Sequence, residues 1–282
     1  MTIGDVSIVC QAGTHGFNAI ARTCDPRDDH NHGTHVSGTI GAAGNNALGV
    51  AGVNWIASLM GLKFLDSTGT GTVADAIDAI EFALQAKQAF AATGGANVRI
   101  LSNSWGGGDF SQALLDQINA ANDQEMLFVA AAGNNGLPND LFPTYPASYN
   151  ATNVVAVAAT TSTDTRAYFS NYGAQSVHPG APGVNILSTN RDNAYGSSSG
   201  TSMAAPHVSG AGALLLSHCL LDTAQLKATL LDSVDPVSSM ATTTNHPTRR
   251  RTSSLPWMNS ARSSNASPNG ASRQGMPKRC TP

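Results

Sequence analysis

Apolar residues along the 282-residue chain fall into short blocks, separated by stretches rich in glycine, asparagine and serine. Ser58–Phe64, Val98–Leu101, Met126–Ala132 and Asn153–Ala159 are compact apolar runs, which predicts buried strands. Val184–Leu187 predicts a shorter strand, and Ile8 and Val9 mark a thin one in a segment otherwise poor in apolar residues. Between these blocks the period changes. Thr72–Ala92 carries Val73, Ala76, Ile77, Ile80, Phe82 and Leu84, Gln112–Asn122 carries Leu114, Leu115 and Ile118, and Asp222–Val234 carries Leu226, Leu230 and Leu231. Each predicts an amphipathic helix. A more apolar helical run opens at Ser202 and continues through Ala211, Ala213, Leu214, Leu215 and Leu216. Asp66–Gly71, Tyr168–Gly173 and Pro179–Gly183 read as loops. Strands apolar on both faces, alternating with helices, predict an α/β fold with a parallel sheet covered on both sides.

Composition sharpens this picture only in places. Charged residues make up 12% of the chain, about half the usual ~25%. The net charge of -3 hides an asymmetry. Residues 1–240 hold 8 Lys and Arg against 18 Asp and Glu, whereas residues 241–282 hold 7 Lys and Arg and no acid. An acidic body argues against nucleic-acid binding. From 241 onward Thr, Ser, Asn, Pro and Arg recur without period, which predicts a basic disordered tail after a single 1–240 domain. No apolar run reaches 18 residues, so no membrane-spanning helix is expected. The N-terminus has no basic stretch followed by an apolar one, so no signal peptide is expected there. None of Cys10, Cys24, Cys219 and Cys280 forms a CxxC pair. Cys10 and Cys24 are candidates for a disulfide, and Cys219, at the end of an apolar helix, reads as a small core residue.

Three segments carry candidate chemistry. Ser202 lies at the mouth of an apolar helix after the small residues Gly196–Gly200. Unpaired N–H groups and the helix dipole there favour developing negative charge, which suits a nucleophilic serine. The plainer reading is a helix N-cap. Asn134 follows the strand Met126–Ala132 at the carboxyl end, where α/β folds place their sites, and its amide can donate to an oxyanion. As a lone residue it is an ordinary turn asparagine. His32 is a candidate general base; in a helix it would share a face with His35. Read with His30, these histidines also form a potential metal cluster, but no HExxH or other ligand pattern follows.

His32-Gly33-Thr34-His35-Val36-Ser37-Gly38-Thr39 resembles the histidine motif of the subtilisin-like serine proteases, the subtilases. Gly200-Thr201-Ser202-Met203-Ala204-Ala205-Pro206-His207 resembles their serine motif, and Ala131-Ala132-Gly133-Asn134 their oxyanion-asparagine segment. The resemblance covers residues 16–237. It implies a three-layer sandwich around a mostly parallel sheet and a secreted, monomeric serine endopeptidase acting on protein or peptide substrates. His32 would be the base, Ser202 the nucleophile, and Asn134 with the Ser202 N–H the oxyanion hole. It also implies that Gly69-Thr70-Gly71 and Ser104-Trp105-Gly106 pair with an extended substrate. Gly106, Gly107 and Ala131–Gly133 would wall a roomy pocket for large apolar side chains. The plainer reading of Trp105 is packing at a strand end. Gly44–Val50 resembles the family's calcium loop, with Gly44, Asn46, Leu48 and Val50 as ligands; the competing reading is a plain Asn-rich turn. No cofactor is required for the chemistry.

The sequence departs from the family at both ends. The family carries an aspartate at the end of a strand before the histidine, and nothing here matches that motif. Asp5 is followed by Val6-Ser7, and Asp25, Asp28 and Asp29 lie too close to His32 along the chain. The first strand and its aspartate are therefore expected to be missing. An aspartate fixes the histidine tautomer and stabilises the imidazolium, so its loss predicts slow chemistry. The competing functional reading is a subtilase-fold fragment or binding module without real catalysis. After Ser239-Met240 the family pattern stops.

Overall fold

The computed structural model describes residues 1–11, 13–240 and 243–244. The expected tail, beyond those two last residues, lies outside the described residues.

A four-stranded parallel sheet forms the centre. Its strands β5 (Ile100–Asn103), β6 (Leu127–Ala131), β7 (Val154–Thr160) and β8 (Gly180–Pro182) are neighbours in chain order. Every residue of β6 and β7 is buried. The pleat sends alternate side chains to opposite faces. Phe128, Ala130, Val154 and Ala156 meet Ile80, Leu84, Leu114 and Ile118 from α2 (Val73–Thr93) and α3 (Gln112–Asp123). Leu127, Val129, Val155 and Val157 meet Ala204, Ala205, Val208, Leu226 and Leu230 from α4 (Thr201–His218) and α5 (Thr223–Asp232). Helices on both faces of a parallel sheet are the three-layer α/β arrangement the apolar pattern predicts.

The helix ends follow their capping residues. The Thr72 side chain accepts from Asp75 N–H, and that of Ser111 from Leu114 N–H, at the starts of α2 and α3. Asp222 and Gln225 form a capping box on α5. α4 contains small residues at its sheet-facing positions, so it lies close against β5–β8. A Cβ on Gly212 would come within 2.9 Å of Ile100 Cδ1.

Several elements differ from expectation. Ser58–Phe64 narrows to β4 (Gly61–Lys63), which pairs in parallel with β3 (Gly16–Asn18), not with β5. The central sheet is thus interrupted between β4 and β5. Pro179–Gly183 is not a loop; three of its residues form edge strand β8, where Pro182 needs no partner for the N–H it lacks. The strand expected at Val184–Leu187 shifts to β9 (Ile186–Asn190) and pairs antiparallel with β10 (Ala194–Ser198), away from the main sheet. Asp192 and Asn193 take left-handed conformations in its turn. Ile8 and Val9 form no strand. Instead β1 (Thr2–Ile3) and β2 (Val6–Ser7) make a small hairpin, clamped to α2 by Gln85 bonds to both the N–H and the carbonyl of Thr2. Cys10 and Cys24 are disulfide-bonded. Cys219 lies in the core beside α4 and α5 as expected, but it too is disulfide-bonded.

The interruption leaves the two flanks unequal. Phe128 is fully buried, whereas Leu62 of β4 is half-buried beside the gap. Phe128→Ala should cost about 3–5 kcal/mol in chemical denaturation. Leu62→Ala should cost less, about 2 kcal/mol, because Leu62 is only partly buried.

Candidate active site

Ser202 is the second residue of α4, and its position follows from Pro206 one turn later. Proline has no N–H, so the helical bond to the Ser202 carbonyl cannot form. The Ser104 hydroxyl, just past β5, donates to that carbonyl at 2.8 Å instead. The Ser202 hydroxyl returns a bond to the Ser104 carbonyl at 3.1 Å. The two segments are thereby stitched together, with Oγ of Ser202 at the carboxyl edge of the sheet. Ser202 is not the N-cap: that place belongs to Gly200, at φ 157. The first-turn position leaves the Ser202 N–H without a helical acceptor.

Asn134 sits four residues from Ala130, beyond the end of β6. Its Oδ1 accepts from both the N–H (2.8 Å) and the hydroxyl (3.0 Å) of Thr201. The Gly133 N–H donates to the same hydroxyl at 3.2 Å. With Oδ1 held, the Nδ2 donor of Asn134 is fixed beside the start of α4; a Cβ on Gly200 would lie 3.6 Å from it. Gly133 adopts φ 112, and a Cβ there would meet Asn171 Nδ2 at 2.5 Å, so only glycine fits. Thr201 is fully buried and holds this arrangement together. The chemical reading of the sequence passed over it, although it stands directly before Ser202.

His32 opens α1 (His32–Gly41). The preceding Asn31 is left-handed and makes no side-chain cap bond. Asp28 supplies the cap from outside the helix. Its carboxylate accepts from the N–H groups of His30, Asn31 and Thr34 and from the Thr34 hydroxyl, at 2.6–2.9 Å. Burial pushes the Asp28 carboxyl up, but the bonds from Thr34, Asn31 and His30 outweigh it and bring it from 3.8 to about 2. Asp29 pairs with Lys63 at 2.6 Å, and the Asn31 side chain accepts from the Arg191 N–H at 2.8 Å. The loop before His32 is therefore tied to β4 and to the β9–β10 hairpin.

The His32 ring is half-buried and receives no hydrogen bond from any described residue. Burial lowers its pKa below 6.5, and His30 and His35 lower it further, while Asp28 opposes them. It does not bond to Ser202 in this structure, whose hydroxyl is turned to Ser104. His35 does not share its role. Its ring is buried, with Nε2 at 3.0 and 3.1 Å from the carbonyls of Ile186 and Gly196, so Nε2 carries the proton and the ring locks α1 to the β9–β10 hairpin. No group of three or more metal-ligating side chains occurs among the described residues. Asp5 lies exposed in the β1–β2 turn, clamped beside α2 and outside the residues that line the cleft. Asp25 pairs with Arg27. Hence no described carboxylate holds the His32 ring.

His32, Asn134 and Ser202 line one open cleft. Gly69, Thr70 and Gly71, after β4, and Ser104, Trp105 and Gly106, after β5, line it too, with Ala131 and Gly133 at its base. Trp105 also packs as its plainer reading expects: it meets the Phe64 ring edge-on at 5.0 Å, and its Nε1 donates to Asn103. Gly44, Asn46, Leu48 and Val50 lie elsewhere, in a loop with no carboxylate. Asn46 Oδ1 accepts from the Leu48 N–H at 3.0 Å, which is a local Asx turn. That donor set does not fit calcium, which takes six to eight oxygens, usually with carboxylates among them.

The fold and site define an α/β protein with a serine on a helix start, an amide donor and a histidine around one cleft. The Subtilase family model matches residues 8–272, further at both ends than the motifs extend. The chain belongs to the subtilase family. It is 39% identical over 227 residues to the Thermophilic serine proteinase of Bacillus sp. (strain AK1), which covers 80% of this chain and 52% of that protein. It is 43% identical over 192 residues to Subtilisin E of Bacillus subtilis (strain 168), covering 68% of this chain and 47% of that one. The chain spans about half the length of these relatives. Among solved structures, a cold adapted subtilisin-like serine proteinase aligns with a TM-score of 0.70 and 30% identity, over 88% of this chain and 84% of that one.

Asp28 gives a direct check on the site's frame. A carboxylate held at about 2 rather than 3.8 contributes stability above pH 3.8 and loses it as pH falls towards 2. Asp28→Ala should therefore cost about 1 kcal/mol near pH 7, as loss of a helix cap does. Denaturation curves of the two proteins should converge near pH 2.

Proposed function

We propose that this chain is a serine endopeptidase that cleaves peptide bonds through an acyl-enzyme on Ser202. The observation that carries the reading is the fixed pair of donors at the start of α4: the Asn134 amide, oriented by Thr201, and the Ser202 N–H. Both would donate to a carbonyl oxygen that develops negative charge when Ser202 Oγ attacks. On substrate entry the Ser202 hydroxyl leaves the Ser104 carbonyl and gives its proton to His32. His32 then delivers it to the leaving amine, and water completes the cycle by the reverse path.

Substrate would lie extended between Gly69-Thr70-Gly71 and Ser104-Trp105-Gly106, bound through backbone groups. Ala131, Gly133 and Gly106 leave room beneath it for a large apolar side chain. Partners are then proteins or peptides, the enzyme works as a monomer outside the cell, and no cofactor enters the chemistry. Calcium at Gly44–Val50 forms no part of this proposal.

A second reading rests on one observation: no described carboxylate orients His32. On that reading the chain is a catalytically impaired subtilase-fold scaffold that binds peptides. A fluorophosphonate probe mapped by mass spectrometry separates the two. Label on Ser202, absent in Ser202→Ala, supports the enzyme; unlabelled but folded protein supports the scaffold. In the labelled case Asn134→Ala should lower kcat about 10²- to 10³-fold with little change in KM, the loss known for this donor in a subtilisin.

The pH profile gives an independent check. His32 acts as a base only when neutral, and burial lowers its pKa. The rate should rise with pH through a midpoint below 6.5, and an acid limb centred above 6.5 would count against His32 as the base.

A further inference from the structure

The peptidase reading leaves His30 without a role, although its ring lines the same cleft as His32. In a helix, residues two apart do not face each other. Here the intervening Asn31 takes φ 98, a left-handed conformation uncommon outside glycine, and the chain turns there before α1 begins. The turn brings both rings into the cleft, edge to face with centres 6.4 Å apart. Asp28 fixes the turn. Its Oδ1 accepts the N–H groups of His30 and Asn31, each at 2.9 Å, and its Oδ2 accepts from Thr34 in the first turn of α1. The backbone that carries the pair is thus built in advance. Neither ring makes a hydrogen bond to a described residue.

Two imidazoles with uncommitted ring nitrogens, side by side in an open cleft, suit a divalent transition cation. Zinc takes imidazole nitrogen at about 2.0–2.1 Å, so two rings on one tetrahedral zinc have centres about 5 Å apart. A swing of the His30 ring closes the observed 6.4 Å to that distance, and His30 is exposed and carried on a loop. Gly69 leaves it room: His30 Nε2 lies 3.2 Å from where a Cβ on Gly69 would stand, and φ +80 there favours glycine. Charge favours a cation as well. Asp28 lies two residues before His30 and Asp66 three before Gly69, and Lys63 is paired with Asp29. His35 does not join the pair, since its ring is buried and its Nε2 donates to the Ile186 and Gly196 carbonyls. No third ligating side chain stands with them among the described residues, so water completes the shell and binding is reversible.

We propose that His30 and His32 form a reversible zinc site in the cleft, an inhibitory one that withdraws His32 from Ser202. Zinc on the nitrogen that serves Ser202 occupies the lone pair that must take the serine's proton. Zinc on the other nitrogen opposes protonation of the ring through its own charge. Calcium and magnesium, which take oxygen ligands, do not compete for the pair. Inhibition rests on the peptidase reading above; zinc binding does not.

Binding is tested first on Ser202→Ala protein, by calorimetric titration with zinc chloride. His30→Ala and His32→Ala should each weaken the zinc affinity at least about 10-fold, the lower end of what losing even an outer-shell partner costs. Excess calcium chloride should not displace the zinc. Cobalt in place of zinc should give visible absorption bands that both variants lose. His30→Ala removes an exposed ring and should keep the circular dichroism of the parent; His30→Gln, which keeps the volume, is the second variant. On the unmutated serine, zinc chloride should slow fluorophosphonate labelling of Ser202, and a chelator should restore the rate. In His30→Ala the ratio of labelling rates without and with zinc should fall close to one. Absence of zinc binding, or an affinity unchanged in both variants, overturns the proposal, because any zinc then sits on other groups. A loss in His32→Ala but not in His30→Ala or His30→Gln overturns the pair. Binding as expected with labelling equally fast in zinc overturns the inhibitory role alone. Binding as expected with no labelling under any condition upholds the site and counts against the peptidase.

Discussion

The close approach of α4 to the parallel sheet is the constraint on which the other features depend. Ala204, Ala205 and Gly212 bring its backbone near β5–β8, and any larger side chain at Gly212 would collide with Ile100. Pro206 then frees the Ser202 carbonyl, and Ser104 takes it up. One proline thus converts a helix start into a joint between helix and strand. Thr201, buried in the same turn, reaches the end of β6 through Asn134 and Gly133. The serine, its neighbouring amide donors and the sheet form one rigid unit, stabilised by the apolar surface that α4 and α5 bury against β6 and β7.

His32 is held by a separate set of contacts. It rides on α1, whose start is fixed by Asp28 and whose body is locked to the β9–β10 hairpin by His35 and by Ser188, which donates to the His35 carbonyl at 2.7 Å. Gly38 permits this contact, since a Cβ there would come within 2.1 Å of Thr189 Oγ1. α1 also packs directly on α4, where Val36 and Ile40 meet Met203, so the histidine and the serine share one apolar support. The oxyanion donors are fixed by hydrogen bonds, whereas the histidine ring is positioned by its helix alone.

The apolar blocks made the central sheet legible. β6 and β7 are buried on both faces and leave no ambiguity of period, and α2, α3 and α5 carry caps visible in the sequence as Thr72, Ser111 and Asp222. The short elements were not legible. β3, β8 and the β1–β2 hairpin have two or three residues each, too few to show a period, and tertiary pairing alone makes them strands. The β9–β10 hairpin hides behind the polar sequence Thr189–Asn193, whose left-handed residues carry the turn. At the site, Ser202, His32 and Asn134 stood out through their motifs, but the side chains that position them did not. Thr201 and Asp28 act through geometry that only the folded chain brings together.

The interrupted sheet changes how the site's electrostatics should be read. Burial and two neighbouring histidines lower the His32 pKa, and the opposing charge of Asp28 only partly offsets them. A base kept neutral is ready to accept a proton, but the imidazolium it becomes meets the same unfavourable surroundings. The oxyanion donors of Asn134 and Ser202 stabilise only one of the two charges that the reaction separates. The imidazolium is left to the surroundings of the α1 start, where burial disfavours it and Asp28 alone opposes that effect.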